Sequence, residues 1–356
     1  MKHLNVGALR RAHDPARLAA ANDLVQRTLA QHGLVAPQGA TPPTSPPEMP
    51  DLSALLNRFS GAAPRPVTLP EGASFADETY SCAEGSRRYR LYVPASASDD
   101  ARGVIMMLHG CTQTPEDFAI GTGMNELADR HGFVVVYPAQ SRGDNAQSCW
   151  NWFSRGDQRR GRGEPAILAG LAQEICAAHD VDRSACFVAG LSAGAAMAVI
   201  LGEAYPDVFA AVGAHSGLPV GAAKDVPSAF AAMSGQALDA PDPVPTQTPA
   251  RTIVFHGSAD TTVNPSNGAA IARRAREALS PDSLGRSETG TAQGRCYTRD
   301  QCHDTAGRTL VEHWTVAGQS HAWSGGRPGG SYVDSQGPDA SAEMVRFFFE
   351  HSEAQG

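Results

Sequence analysis

The chain has 356 residues, of which 42% are hydrophobic and 19% are charged, and its formal net charge is −8 at pH 7. This length allows one large core, whereas the acidic balance lacks the basic footprint of a nucleic-acid-binding protein. No apolar run approaches the roughly 18 residues of a membrane-spanning helix. We therefore expect neither a nucleic acid nor a membrane as a partner.

The first 65 residues differ in composition from the rest of the chain. Residues 1–35 are predicted to form a helical segment, because apolar residues from Leu18 to Leu29 recur at steps of three and four. Residues 36–65 are rich in proline, which predicts a semi-rigid linker, and the main domain is expected over residues 66–356. Because the N-terminus lacks an apolar h-region and a cleavage site, we expect a cytoplasmic protein, with export by an unrecognised route as the alternative.

Strand-like and helix-like segments alternate from residue 87 onwards. The predicted strands are RRYRLYVP, GVIMMLHG, GFVVVYP, ACFVAG, AAVGAHSG, RTIVFHGSAD and TLVEHWTV, and helical patterns cover residues 118–130, 165–179, 193–205 and the segment DASAEMVRFFFEHSE. Continuous apolar runs such as GVIMMLHG are typical of parallel strands buried on both faces. The alternation predicts an α/β fold with a mostly parallel central sheet and helices on both faces.

A G-x-S-x-G pattern, from Gly190 to Gly194, lies between a predicted strand and a predicted helix. Such a strand-to-helix elbow forces its serine into a strained conformation and exposes the hydroxyl, so Ser192 is the candidate nucleophile. The alternative is a glycine-rich turn with a solvent-facing serine.

A serine nucleophile needs a base that a third group orients. In folds with this elbow the chain order is serine, acid, histidine. Asp260 ends the strand segment RTIVFHGSAD, and His321 follows the last predicted strand in a loop of small residues. We predict that Ser192, Asp260 and His321 form a catalytic triad.

The oxyanion of the reaction needs two backbone N–H groups. Ala193, directly after the nucleophile, is predicted to supply one of them. The loop HGCT is predicted to supply the other, from Cys111 or from Thr112. The same loop allows a different chemistry, with Cys111 as a thiol nucleophile beside His109, but adjacent residues rarely present nucleophile and base to one carbonyl.

The cysteines suggest two disulfide bonds. Cys111 and Cys149 follow neighbouring predicted strands, whose carboxyl ends would bring them together. Cys296 and Cys302, in CYTRDQC, would close a small surface loop. The alternative for both pairs is reduced thiols.

Aromatic residues are concentrated near the predicted catalytic loops. Trp150 and Trp152 share the segment CWNWF, and Trp323 lies two residues beyond His321. We predict that these tryptophans form a wall that binds substrate, with burial in the core as the alternative.

Several ordered motifs together resemble the polyhydroxybutyrate depolymerase family of esterases, in the α/β-hydrolase superfamily. The resemblance covers about residues 87–350 and rests on the segments LHGCTQTPEDF, CWNWF, RGRGEPAILAGL, GLSAG, HGSADTTV and SHAWSGG. It implies an α/β-hydrolase fold and an esterase in which Ser192, Asp260 and His321 match the family's triad. We expect no cofactor and no metal ion.

The expected partner is an ester substrate. A polyhydroxybutyrate-type polyester, its oligomers or short-chain esters come first, cleaved through an acyl-enzyme. Because acetylxylan and feruloyl esterases are relatives of the family, esters of plant polysaccharides are the alternative. A reading from another class is a non-catalytic polymer- or glycan-binding module on the same fold.

Overall fold

A large mixed sheet runs through the part of the chain that the structure describes. The structure is a computed structural model, and it describes residues 69–236, 249–279 and 284–350. The predicted helical segment over 1–35 and the predicted linker over 36–65 lie outside the described residues.

The central strands of the sheet are parallel and its two edges are antiparallel. The spatial order is β1-β2-β4-β3-β5-β6-β7-β10-β9-β8. Strands β4, β3, β5, β6, β7 and β10 pair in parallel, whereas β1 and β2 at one edge and β8 and β9 at the other pair antiparallel. The strands are β1 (Ser74–Cys82), β2 (Gly85–Val93), β3 (Val104–Leu108), β4 (Val134–Pro138), β5 (Cys186–Leu191), β6 (Ala211–His215), β7 (Arg251–Gly257), β8 (Leu284–Ala292), β9 (Arg295–His303) and β10 (Thr309–Val316).

Helices cover both faces of this sheet. They are α1 (Pro115–Thr122), α2 (Met124–His131), α3 (Gly163–Ala178), α4 (Ala193–Ala204), α5 (Val226–Met233), α6 (Ser266–Glu277) and α7 (Ala340–Phe349). Successive side chains of β3 point to opposite faces, and accordingly Val104, Met106 and Leu108 pack with α3, α4 and α6, while Ile105 and Met107 pack with α1, α2 and α7. The predicted α/β architecture with helices on both faces is confirmed.

The sheet brings four loops to the same edge. The loops after β3, β5, β7 and β10 all leave the carboxyl ends of neighbouring parallel strands, which is where open α/β sheets carry their ligand sites. A small parallel pair, β11 (Trp323–Ser324) and β12 (Val333–Asp334), lies in the segment after β10. Among the described residues, no helix combines the length and the apolar character needed to cross a bilayer.

Candidate active site

Ser192 lies at a sharp elbow between β5 and α4. Its backbone has φ 58° and ψ −119°, a combination that is strained for any residue with a Cβ atom and that persists only where the surroundings enforce it. The Ser192 N–H donates to the His215 carbonyl oxygen at 2.9 Å, and its own carbonyl accepts the Ala196 N–H at 2.9 Å. The Ser192 side chain is partly exposed and makes no hydrogen bond with another described residue.

Two glycines allow this elbow to close against β3. A Cβ atom on Gly194 would lie 2.0 Å from the Leu108 carbonyl oxygen, and one on Gly190 would lie 2.5 Å from the Gly194 carbonyl carbon. Both contacts are shorter than real Cβ atoms make, and the opposing atoms are backbone. The glycines of the G-x-S-x-G pattern are therefore a steric requirement of the elbow.

Asp260 and His321 are joined at the carboxyl ends of β7 and β10. The Nδ1 atom of His321 lies 2.7 Å from Asp260 Oδ2. The other carboxylate oxygen accepts the backbone N–H groups of Thr262 at 2.9 Å and Val263 at 2.8 Å. The imidazole is thus held with Nδ1 toward the carboxylate, and its Nε2 is left for a second partner.

A second histidine, His256, lies beneath this pair. Its Nε2 is 2.9 Å from the Val263 carbonyl oxygen and 3.4 Å from Asp260 Oδ2. Because both neighbours are acceptors, this nitrogen carries the proton. Burial alone would raise the pKa of Asp260, but the hydrogen bonds from His256 and His321 outweigh it and hold that pKa well below the ordinary aspartate value. The Asp260 carboxylate is therefore held in its ionised form next to His321.

In the loop after β3, the backbone N–H groups of Cys111 and Thr112 differ in whether they are available to a substrate. The Thr112 N–H donates to the Gln147 carbonyl oxygen at 2.8 Å, so the structure does not leave it available to a substrate. The Cys111 N–H makes no hydrogen bond with any described residue. On the other side of the elbow, Ala193 is the first residue of α4, and its N–H has no partner within the helix. Of the predicted donors, Cys111 and Ala193 remain and Thr112 does not.

The thiol chemistry weighed for Cys111 does not fit the structure. Cys111 and Cys149 form a disulfide, with their Cα atoms 4.3 Å apart. His109 Nδ1 lies 2.8 Å from the Gly110 carbonyl oxygen, and its Nε2 accepts the Gln140 N–H at 3.1 Å. Burial lowers the pKa of His109 to about 4. Its ring is neutral and both nitrogens are occupied, so it holds the loop and cannot act as a base.

The three tryptophans do not form the predicted wall. Trp150, Trp152 and Trp323 are 0%, 6% and 1% exposed. The indole N–H of Trp150 donates to the His109 carbonyl oxygen at 3.0 Å, and that of Trp323 donates to Ser341 Oγ at 3.0 Å. Buried indoles with satisfied N–H groups pack in the core, so Trp150 and Trp323 support the catalytic loops from beneath, and Trp152 is buried as well.

The second predicted disulfide is absent. Cys296 and Cys302 are free, and both lie on β9, opposite Thr291 and Gly285 of β8. Six residues of extended strand span about 20 Å, far beyond the reach of a disulfide. The segment CYTRDQC is a strand, not the loop that the prediction required.

Two polar groups around the site have roles that the sequence did not predict. Gln113 is 4% exposed and hydrogen-bonds Gly110 and Asp117, although it stands in the quoted motif LHGCTQTPEDF. The Glu164 carboxylate accepts the Asn151 N–H at 2.7 Å and so holds the segment that follows Cys149. Burial raises the pKa of Glu164, and the Asn151 bond opposes this shift.

Within the described ranges, no cluster of three or more His, Cys, Asp or Glu side chains has the arrangement of a metal site.

The sheet order, the elbow and the Asp260–His321 pair define an α/β-hydrolase fold of the kind that esterases use. Residues 87–275, more than half of the chain, match the family model described as Esterase PHB depolymerase. The chain therefore belongs to the PHB depolymerase family of esterases.

Known proteins similar to the chain include polyester and polysaccharide esterases. Poly(3-hydroxyalkanoate) depolymerase C of Paucimonas lemoignei is 35% identical over 201 residues, which cover 51% of this chain and 46% of that protein. Acetylxylan esterase A of Aspergillus oryzae is 28% identical over 220 residues, covering 57% of this chain and 69% of that protein. The chain thus matches about half the length of the depolymerase.

A solved structure shares the fold. An acetyl xylan esterase from Aspergillus awamori superposes with a TM-score of 0.60 at 18% identity, over 78% of this chain and 98% of that chain. At this level of identity the likeness concerns the fold, and it agrees with the α/β-hydrolase fold predicted from the sequence.

Proposed function

We propose that the protein is a serine carboxylic ester hydrolase, with Ser192 as nucleophile, His321 as general base and Asp260 as the group that orients it. The observation that carries this proposal is the strained Ser192 elbow on the same sheet edge as the 2.7 Å His321–Asp260 pair. Hydrogen bonds between nucleophile and base are often loose in ligand-free enzymes and tighten with substrate.

In the acylation step, Ser192 Oγ attacks the ester carbonyl carbon and its proton passes to His321 Nε2. The resulting imidazolium is stabilised by the Asp260 carboxylate, which keeps its charge throughout. Collapse of the tetrahedral intermediate breaks the bond to the alcohol oxygen, which takes the proton from Nε2. This leaves an acyl-Ser192 ester.

In the deacylation step, His321 takes a proton from water, and the resulting hydroxide oxygen attacks the acyl-Ser192 carbonyl carbon. Ser192 Oγ then leaves with the proton from Nε2, and the carboxylic acid is released. The negative oxygen of both intermediates is assigned to the N–H groups of Cys111 and Ala193. Loss of one such donor ordinarily costs about 3–4 kcal/mol of transition-state stabilisation.

For the substrate, we propose polyhydroxyalkanoate-type esters, their oligomers and short-chain esters, since the depolymerase of P. lemoignei is 35% identical to this chain. Esters of acetylated plant polysaccharide are the second candidate, because the Aspergillus acetylxylan esterases match over a larger share of their own length.

The test combines a covalent probe with a rate panel. A fluorophosphonate should label the wild type at Ser192 and fail to label Ser192→Ala, and Ser192→Ala should lose activity by a factor of the order of 10⁶. Ser234→Ala, at an exposed serine after α5, is the matched control and should retain labelling and turnover. Rates on hydroxybutyrate oligomers, acetylated xylan, a feruloyl ester and short p-nitrophenyl esters would rank the substrates.

The alternative hypothesis, a non-catalytic polymer- or glycan-binding module, predicts binding without labelling or turnover. A wild-type protein that binds polymer, is not labelled by the fluorophosphonate and hydrolyses no ester would contradict the esterase proposal. Full activity in Ser192→Ala would remove Ser192 from it.

A further inference from the structure

Both ends of the Gln113 side-chain amide are hydrogen-bonded, and one end binds Gly110, the residue before Cys111. Its Oε1 accepts the Gly110 N–H at 2.9 Å. Its Nε2 donates to Asp117 Oδ2 at 2.9 Å and to the Ser331 carbonyl oxygen at 3.1 Å. The amide orientation follows from these partners, since one end faces a donor and the other faces two acceptors. The side chain is 4% exposed.

The near end of this amide binds Gly110, the residue whose carbonyl group sets the direction of the Cys111 N–H. The Gly110 carbonyl oxygen accepts from His109 Nδ1 at 2.8 Å and from the Gln113 N–H at 3.3 Å. In a planar trans peptide, the following N–H points opposite to that carbonyl. With the Gly110 N–H and C=O both bound, the Cys111 N–H has one direction left, away from the partners that hold Gly110.

The far end of the amide reaches the segment that follows His321. Ser331 is anchored on α1, because its N–H donates to Asp117 Oδ1 at 2.9 Å and its hydroxyl to Asp117 Oδ2 at 2.5 Å. The carbonyl oxygen of the next residue, Tyr332, accepts the backbone N–H of Trp323 at 2.7 Å. Trp323 lies two residues beyond His321. One side chain thus connects the oxyanion loop to the segment that carries the base.

We propose that Gln113 is a positioning residue. Through its hydrogen bonds to Gly110, Asp117 and Ser331, it fixes the position of the Cys111 N–H relative to His321. The proposal rests on the proposed esterase function of this site. An amide is required because its oxygen must accept one hydrogen bond while its nitrogen donates two others. A glutamate would still accept the Gly110 N–H, but its other oxygen would face the Asp117 carboxylate and a carbonyl oxygen.

The test is steady-state kinetics on a short p-nitrophenyl ester, with the rate of fluorophosphonate labelling and the Tm measured alongside. Gln113→Glu and Gln113→Ala should lower kcat by about 10- to 100-fold with KM changed less than about threefold, because the oxyanion is present only in the transition state. Labelling should slow in parallel. The double variant Gln113→Glu/Asp117→Asn should recover most of the lost kcat, since the amide introduced at position 117 would donate to the new carboxylate.

Gln158→Glu is the matched control. The Gln158 Nε2 likewise donates to two acceptors, here the backbone carbonyls of Trp152 at 2.8 Å and Ala223 at 2.9 Å, so this variant also loses two hydrogen bonds and should keep its kcat. If the Gln113 variants do not fold, Asp117→Ala removes the anchor on α1 and should lower kcat about 5- to 10-fold.

Two outcomes would overturn the positioning role while leaving the esterase intact. One is wild-type kcat and labelling in both Gln113 variants. The other is a loss of kcat that follows the loss of folded protein and is not recovered in the double variant. A wild-type protein that neither labels nor turns over ester would instead remove the proposed function itself.

Discussion

Replacement of Gly194 by alanine tests whether the elbow is held by steric contact with β3. The new Cβ atom would lie 2.0 Å from the Leu108 carbonyl oxygen and 2.6 Å from that of His109, whereas C···O contacts normally lie at about 3.3–3.6 Å. The two backbones must therefore separate by at least about 1.3 Å. Overpacking of this kind costs about 3 kcal/mol, and the better helix propensity of alanine offsets about 1 kcal/mol.

The net loss of about 2 kcal/mol has a measurable thermal counterpart. With an unfolding entropy of about 2.1 cal/mol/K per residue over the chain, the Tm should fall by about 3 °C. The effect on catalysis should be larger, because Leu108 and His109 lead directly into the oxyanion loop. A misplacement of about 1 Å can cost about 100-fold in rate, and we expect a loss of kcat of that order.

The assay pairs thermal unfolding with kcat on a short p-nitrophenyl ester, and it has an internal control. Gly285→Ala places a Cβ atom on β8 with no atom within 4 Å, so it should change neither quantity. A Gly194→Ala protein with the Tm and kcat of the wild type would refute the steric argument for the G-x-S-x-G glycines.

Three further changes test other parts of the site and fold. Asp260→Asn should lower kcat by about 10⁴-fold with the fold retained, because the amide permits the wrong imidazole tautomer; steady-state kinetics measures it. Cys149→Ser frees Cys111 and should destabilise the protein by about 4 kcal/mol in urea unfolding, the chain-entropy value for a loop of 38 residues. Burial lowers the pKa of His313 to about 4, so the unfolded state binds its proton first as pH falls below about 6.5. Between pH 7 and pH 5 His313 should therefore remove about 2 kcal/mol of stability, which His313→Gln abolishes in urea unfolding at the two pH values.

Each of these three has a result that would contradict it. Cys82 is a half-buried free cysteine, and a Cys82→Ser protein as unstable as Cys149→Ser would mean that the disulfide adds nothing specific. Equal loss of stability between pH 7 and pH 5 in wild type and His313→Gln would exclude His313 as a source of acid sensitivity. An Asp260→Asn enzyme with wild-type kcat would show that turnover does not require a carboxylate hydrogen-bonded to His321.

The parallel centre of the sheet could be predicted because burial on both faces leaves an apolar run in the sequence. GVIMMLHG became β3 and ACFVAG became β5, and the residues after each run became the loops at the carboxyl edge. The hairpin of β8 and β9 has no such pattern, since β8 is exposed along most of its length. Its polar sequence resembled a loop, and this is why Cys296 and Cys302 were wrongly paired.

The tryptophans show a second limit of sequence reasoning. Trp150 and Trp323 do lie next to the catalytic loops, but a loop segment has no periodicity that separates a side chain facing the ligand from one facing the core. What decides between the two is the partner of the indole N–H. For Trp150 that partner is the carbonyl oxygen of His109, a contact across 41 residues that no local pattern records.

In the loop after β3, residues 109–114, the backbone and the side chains have different roles. Backbone N–H groups make the proposed contact with the reacting oxygen, while the side chains of His109, Cys111 and Gln113 bind the loop to Gln140, Cys149 and Ser331. Thr112 differs from these residues, because its N–H is occupied, its φ is 66°, and its exposed side chain has a 3.3 Å contact between Oγ1 and the Tyr332 hydroxyl at the surface. A positive φ suits glycine or asparagine better than β-branched threonine. Position 112 should therefore tolerate substitution without loss of kcat, whereas positions 109, 111 and 113 should not.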